Sequence, residues 1–252
     1  MSTPFETALT LQDLQHNIGR IQARIDAACE RAGRSPQTVR LLPVSKTVDE
    51  ARLRLAYAAG CRALGENKVQ EAHAKWQAMS DLSDLRWCLI GHLQTNKARQ
   101  VAQFASEFHA LDNLRVAEEL DRRLQALGRG LDVLVQVNTS GEASKFGLEP
   151  AQALDFMRQL PAFSALRVRG LMTLALHSDD EPRVRSCFAM LRGLREQLRE
   201  AAPQGAEIAE LSMGMSGDFE WAIEEGASVV RIGQAIFGAR ATPDSQYWPA
   251  PG

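Results

Sequence analysis

A lysine that directly follows an apolar run is a candidate for amine chemistry. Lys46 comes straight after Leu41-Leu42-Pro43-Val44-Ser45. At the rim of an apolar core its ammonium would lose hydration, which lowers its pKa and leaves a neutral amine to condense with an aldehyde. A surface lysine just past a strand fits the same position. The stretch Ser212-Met213-Gly214-Met215-Ser216-Gly217 precedes a helical pattern over 218–225. Backbone N–H groups at a helix start suit a phosphate, and Ser216 would add a hydroxyl donor. Ser216 could instead cap that helix, and Asp218 and Glu220 already use its dipole. A second set of backbone amides lies at Arg231-Ile232-Gly233-Gln234, where Gly233 allows close approach. Asn67 either caps a helix over 68–78 or touches a ligand. His92 is of a type that serves as general base. No Ser or Cys nucleophile pattern accompanies it, so a satisfied structural histidine is the better reading. The charged run at Glu118, Glu119, Asp121, Arg122 and Arg123 reads as a solvated helix face.

These residues must be positioned by regular elements. Leu11, Leu14, Ile18, Ile21, Ile25 and Ala28 recur at spacings of three and four and predict an N-terminal helix. Eight short apolar runs follow, at 40–45, 61–64, 85–90, 108–111, 131–137, 166–174, 208–213 and 229–232. Helical patterns separate them, one closed by Gly128 and another opened by Pro182. Strands alternating with helices imply parallel pairing, and eight such units point to a single (β/α)₈ barrel with an extra N-terminal helix. An open doubly wound sheet is the main rival. The barrel is expected to span residues 1–240, with 241–252 as a loose tail. Lys46, Asn67, Ser216, Arg231, Gly233 and Gln234 would then all gather at the C-terminal ends of strands, where barrels carry their sites.

Composition excludes other classes. The 252 residues carry a net charge of -2, which gives no electrostatic case for nucleic acid or an anionic membrane. No apolar run is long enough to span a bilayer. Cys29, Cys61, Cys88 and Cys187 lack disulfide or metal-ligand spacing and read as small hydrophobes in a reducing compartment. No apolar segment precedes the first basic residue, Arg20, so no signal peptide is expected and the expected location is cytoplasmic.

Several segments together resemble one family. They are Pro43-Val44-Ser45-Lys46-Thr47, Gly65-Glu66-Asn67-Lys68-Val69-Gln70-Glu71, Ile90-Gly91-His92-Leu93-Gln94-Thr95-Asn96-Lys97, Val137-Asn138-Thr139-Ser140-Gly141-Glu142 and Gly170-Leu171-Met172-Thr173, with 211–218 and 230–240. In order and spacing they resemble the YggS/PROSC family of pyridoxal 5′-phosphate (PLP) homeostasis proteins, which is similar to the N-terminal barrel of alanine racemase. The resemblance runs from about residue 11 to 240. It implies a fold-type III PLP barrel with PLP held as a Schiff base on Lys46. It also implies that Arg231 faces the pyridine nitrogen, that Ser216 and the amides of Gly233 and Gln234 bind the phosphate, and that Asn67 lies beside the ring. Gln234 departs from the usual Thr, which removes a hydroxyl contact and keeps the amide. Lys68 and Leu176 stand where the family often has Arg and Pro.

The implied partner of the pyridine nitrogen bears on catalysis. An arginine only donates hydrogen bonds, so Arg231 would keep that nitrogen unprotonated and weaken the ring as an electron sink. Racemases of this fold add a second base, a Tyr from a further domain. The tyrosines here are Tyr57, in a predicted helix, and Tyr247, in the tail. The expectation is therefore a non-enzymatic PLP carrier that buffers the cofactor or delivers it to apo-enzymes, and a monomer. A PLP-dependent amino-acid racemase is the alternative. A cofactor-free Schiff-base aldolase and a purely structural protein are more distant rivals.

Overall fold

The computed structural model describes residues 5–201 and 207–239. The N-terminal helix α1 (Leu11–Arg31) starts at a capping box. Thr10 accepts from the Asp13 N–H, and the Asp13 carboxylate accepts from the Thr10 N–H. Strands and helices then alternate: β1 (Arg40–Pro43), α2 (Glu50–Ala58), β2 (Ala63–Glu66), α3 (Val69–Ala78), β3 (Arg86–Leu89), α4 (Ala98–Phe104), β4 (Ala105–Leu111), α5 (Leu114–Ala126) and β5 (Leu131–Gln136). They continue through α6 (Ala153–Gln159), β6 (Leu166–Met172), α7 (Glu181–Glu200), β7 (Glu210–Ser212), α8 (Phe219–Glu224), β8 (Val229–Ile232) and a short α9 (Gln234–Phe237).

All strand pairs are parallel, in the order β1-β8-β7-β6-β5-β4-β3-β2. The sheet closes between β1 and β2, where Val44 bridges Gly65 and the Ser45 N–H donates to the Gly65 carbonyl at 2.9 Å. Closure rules out the open sheet and gives the expected (β/α)₈ barrel. The expected tail, 241–252, lies outside the described residues, as does Tyr247. Helix α1 lies across α8 and α9. Its buried stripe of Leu14, Ile21, Ile25 and Ala28 faces them. The Asn17 amide donates to the Ile236 carbonyl at 2.9 Å, and Arg24 and Arg31 pair with Glu220.

Some local readings are corrected. Strand β2 starts and ends two residues later than the run 61–64, which brings Glu66 into the strand and buries it. Strand β4 begins three residues before the run 108–111. Asp121 is not on a solvated face. It is buried, and its carboxylate accepts from the Ala165 N–H and the Gln125 side chain, both at 2.8 Å. An exposed position would have left that Ala165 donor unpaired, since a buried N–H needs an acceptor. All four cysteines are buried and free.

Candidate functional site

The predicted site residues fall on four adjacent strand ends. Because β7, β8, β1 and β2 are neighbours, the segments that carry Ser216, Arg231–Gln234, Lys46 and Asn67 share one side of the barrel mouth. Lys46 is half-buried two residues beyond Val44, whose N–H donates to the Ile232 carbonyl at 2.8 Å. Gly233 follows on β8 so tightly that a Cβ there would sit 3.0 Å from the Val44 carbonyl oxygen. The ends of β1 and β8 are therefore locked side by side.

Arg231 is buried inside the barrel, at 3% exposure. Its Nη1 donates to Ser212 Oγ at 2.7 Å and its Nη2 to the Thr173 carbonyl at 2.8 Å. Burial brings its pKa down to about 10, against the opposing pull of Asp218, so it stays charged at neutral pH. Those two bonds hold the guanidinium rigid and use two of its five N–H donors, so the others can serve as directional partners for a further acceptor.

The loop between β7 and α8 holds its amides open. Gly214 has φ 92°, and an added Cβ would meet Ala222 Cβ at 2.7 Å and Phe219 Cα at 2.9 Å. The N-cap of α8 is Asp218, not Ser216. Asp218 bends back so that its carboxylate accepts from the Met215 N–H at 2.6 Å, and burial pushes its pKa up. Ser216 is half-buried. The backbone N–H groups of Ser216, Gly217, Gly233 and Gln234 donate to no acceptor among the described residues. Two neighbouring loops thus offer four open amide donors and a hydroxyl, a donor set that fits a phosphate.

Asn67 does not cap α3, whose N-cap is Lys68 without a side-chain bond. Asn67 is instead covered from β3, where a Cβ on Gly91 would reach 2.3 Å from the Asn67 carbonyl oxygen. His92 lies across the mouth, stacked on the exposed Phe146 ring at 4.0 Å and 3.8 Å from Asp112. Burial raises the Asp112 pKa, opposed by His92 and by the Gly147 N–H. Tyr57 is on the outside of the barrel, with its hydroxyl on Asp84. Among the described residues, no group of His, Cys, Asp and Glu is arranged to hold a metal ion.

Two groupings escaped the sequence reading. The first is a buried polar chain below Arg231. Ser212 Oγ lies 3.0 Å from His109 Nδ1, and His109 Nε2 lies 2.9 Å from Glu107 Oε2. Arg40 closes the chain at 2.8 Å from Glu107. Burial holds His109 below its ordinary pKa. Burial alone would raise Glu107, but the His109 hydrogen bond and the Arg40 guanidinium hold it well below the usual carboxylate range. The spacing of Glu107 and His109, two residues apart in one strand, was the available signal, because such residues share a face. The second grouping ties the two residues on either side of Lys46, Ser45 and Thr47, to Glu66, Glu71 and Lys75.

The family model of the alanine racemase N-terminal domain matches residues 9–241. The pyridoxal phosphate homeostasis protein of Aquifex aeolicus is 41% identical over 223 residues, covering 88% of this chain and 96% of the relative. That of Pseudomonas aeruginosa is 42% identical over 230 residues, covering 91% and 97%. Among solved structures, PipY of Synechococcus elongatus with PLP bound superposes with a TM-score of 0.79 at 35% identity, covering 89% of this chain and all of that one.

Proposed function

The chain belongs to the family of pyridoxal phosphate homeostasis proteins built on the alanine racemase N-terminal fold, and from that premise we propose that it holds PLP at its barrel mouth as a Schiff base on Lys46. The protein binds PLP and serves its homeostasis. In this reading it buffers the cofactor in the cytoplasm and hands it to apo-enzymes as a monomer, without turnover. The observation that carries the reading is the donor set at four adjacent strand ends: one amine, one buried guanidinium, and four open amides beside the Ser216 hydroxyl. Among the described residues no helix is long and apolar enough to cross a membrane.

The roles divide by chemistry. When bound, PLP supplies an aldehyde for an amine and a ring that can withdraw electrons. Lys46 is the amine. Ser216 and the amides of Gly217, Gly233 and Gln234 bind the phosphate, and Asn67 lines the ring. Arg231 donates to the pyridine nitrogen, and a charged donor there keeps that nitrogen unprotonated. Such an arrangement suits holding the cofactor better than stabilising a carbanion. Tyr57, on the outer surface, does not serve as a second base in this reading.

The test is the visible spectrum of the purified protein titrated with PLP. Wild type is expected to develop the absorbance of a lysine-linked cofactor, Lys46→Ala to lack it, and neither to interconvert amino-acid enantiomers. A wild type without that band refutes the Lys46 assignment, and clear turnover restores the racemase.

A further inference from the structure

Thr47, the residue after Lys46, has φ 64° and is the one non-glycine with a left-handed backbone among the described residues. A β-branched residue there is strained and persists only where its surroundings hold it. Here the hold is specific. The Thr47 N–H donates to Glu71 Oε1 at 2.7 Å. Lys75 Nζ donates to the same oxygen, to Glu66 Oε1 and to the Ser45 carbonyl, each at 2.7 Å. Ser45 Oγ donates to Glu66 Oε1 at 2.6 Å, and the Ser45 N–H is fixed on Gly65. The residues on both sides of Lys46 are thus tied, through one ammonium, to β2 and α3.

This is not an ordinary surface ion pair. The Lys75 side chain is 11% exposed and that of Glu66 1%. The second Glu66 oxygen is buried without a hydrogen-bond partner. Burial pushes Glu66 up in pKa, and Lys75 and Ser45 oppose that. Removing Lys75 would leave Glu66 as a buried carboxyl with only Ser45 to satisfy it. A structure this expensive in desolvation, placed on either side of one lysine, calls for a reason beyond stapling α3 to the sheet.

We propose that the Glu66–Lys75–Glu71 network is a positioning device for Lys46, holding the strained 45–47 turn so that the amine meets its aldehyde from a fixed place. The proposal rests on Lys46 being the PLP-linked residue. It assigns no contact with the cofactor to the three network residues.

Two readouts separate positioning from general support. The first is PLP affinity of the full chain, measured with and without Lys46. Glu71→Ala, at a half-buried position that should leave the fold intact, is expected to weaken PLP binding about tenfold, the loss of one hydrogen bond to a charged group. Glu71→Gln, whose amide oxygen still accepts from Thr47, should restore most of it. In a Lys46→Ala background, Glu71→Ala should leave the residual non-covalent binding of PLP unchanged, because the coupling runs through the lysine. Equal losses in both backgrounds, or none with Lys46 present, would overturn the proposal.

The second readout needs no PLP. Formaldehyde with borohydride methylates lysines in the cofactor-free protein, and mass spectrometry reads each site. Glu71→Ala and Lys75→Met should change the rate at Lys46 severalfold and leave the lysines outside the network alone; an unchanged Lys46 rate would overturn the device. A wild type that shows no PLP band but a Lys46 rate that follows Glu71 would instead refute the PLP reading and keep the positioning role.

Discussion

The two ends of the barrel hold similar kinds of residue in opposite states. At the N-terminal end, Arg40, Arg86 and Arg169 face Glu107, Asp132, Glu207 and Glu210 around a cavity of about 280 Å³. There the charges are spent on one another: Arg40 and Arg86 on Glu107, and Arg169 on Asp132 and Glu207. At the C-terminal end charges are paired too, Lys75 with Glu66 and Glu71, but backbone donors are left open: the amides of Ser216, Gly217, Gly233 and Gln234, near the buried Arg231. Charge density therefore does not mark the site. Open donors held in place mark it, because they can bind an anion without first breaking an ion pair. The buried chain of Ser212, His109 and Glu107 joins the two ends.

The sharpest test of this contrast is Glu107→Ala. It strips a buried carboxylate from Arg40, Arg86 and His109, and should destabilise the fold by about 3–5 kcal/mol in denaturant melts. Arg231 keeps its Thr173 carbonyl in that variant, so PLP affinity should stay within about twofold, well under one charged hydrogen bond. A large loss of affinity would mean that the ends are coupled.

Acid titration comes next. Glu107 has a depressed pKa in the fold, so its contribution is fully present above its ordinary value of 4.5 and is lost as pH falls below that. His109 is also depressed, so its contribution starts to fade below 6.5. Unfolding curves of wild type should weaken in both windows, and Glu107→Gln should flatten the lower one. An unchanged lower window would show that Glu107 is not the group titrating.

At the mouth the effects should fall on binding alone. Ser216→Ala is expected to weaken PLP about tenfold, one charged hydrogen bond, with the melting temperature of the cofactor-free protein unchanged. The smallest effect is a gain. Gln234→Thr adds a hydroxyl donor beside the open amides and should tighten PLP about threefold, part of the increment of a hydrogen bond to a charged group because the existing amides already hold the anion. If either change moved stability instead, the division between the ends would fail.

Much of the architecture was legible in the chain. Alternating apolar runs and helical stripes gave eight βα units, since burial on both faces of a parallel strand demands continuous apolar runs. Gly128 and Pro182 marked helix ends correctly. The short motifs picked out the segments that line the mouth. What local pattern could not reach was the partner of each polar residue. Asn67 and Ser216 had side chains suited to capping, yet Lys68 and Asp218 occupy those positions. Asp121 looked solvated because its neighbours are, while its actual partner, Ala165, is 44 residues away. Glu107 and His109 looked unremarkable until closure of the barrel brought them within hydrogen-bond reach of Arg40 on β1 and Ser212 on β7, neither of them a strand that pairs with β4. Period and turn chemistry act between near neighbours and so are written in the sequence. Burial, paired charge and strain such as that of Thr47 arise only when distant strands close into one barrel, which is why the structure alone decided them.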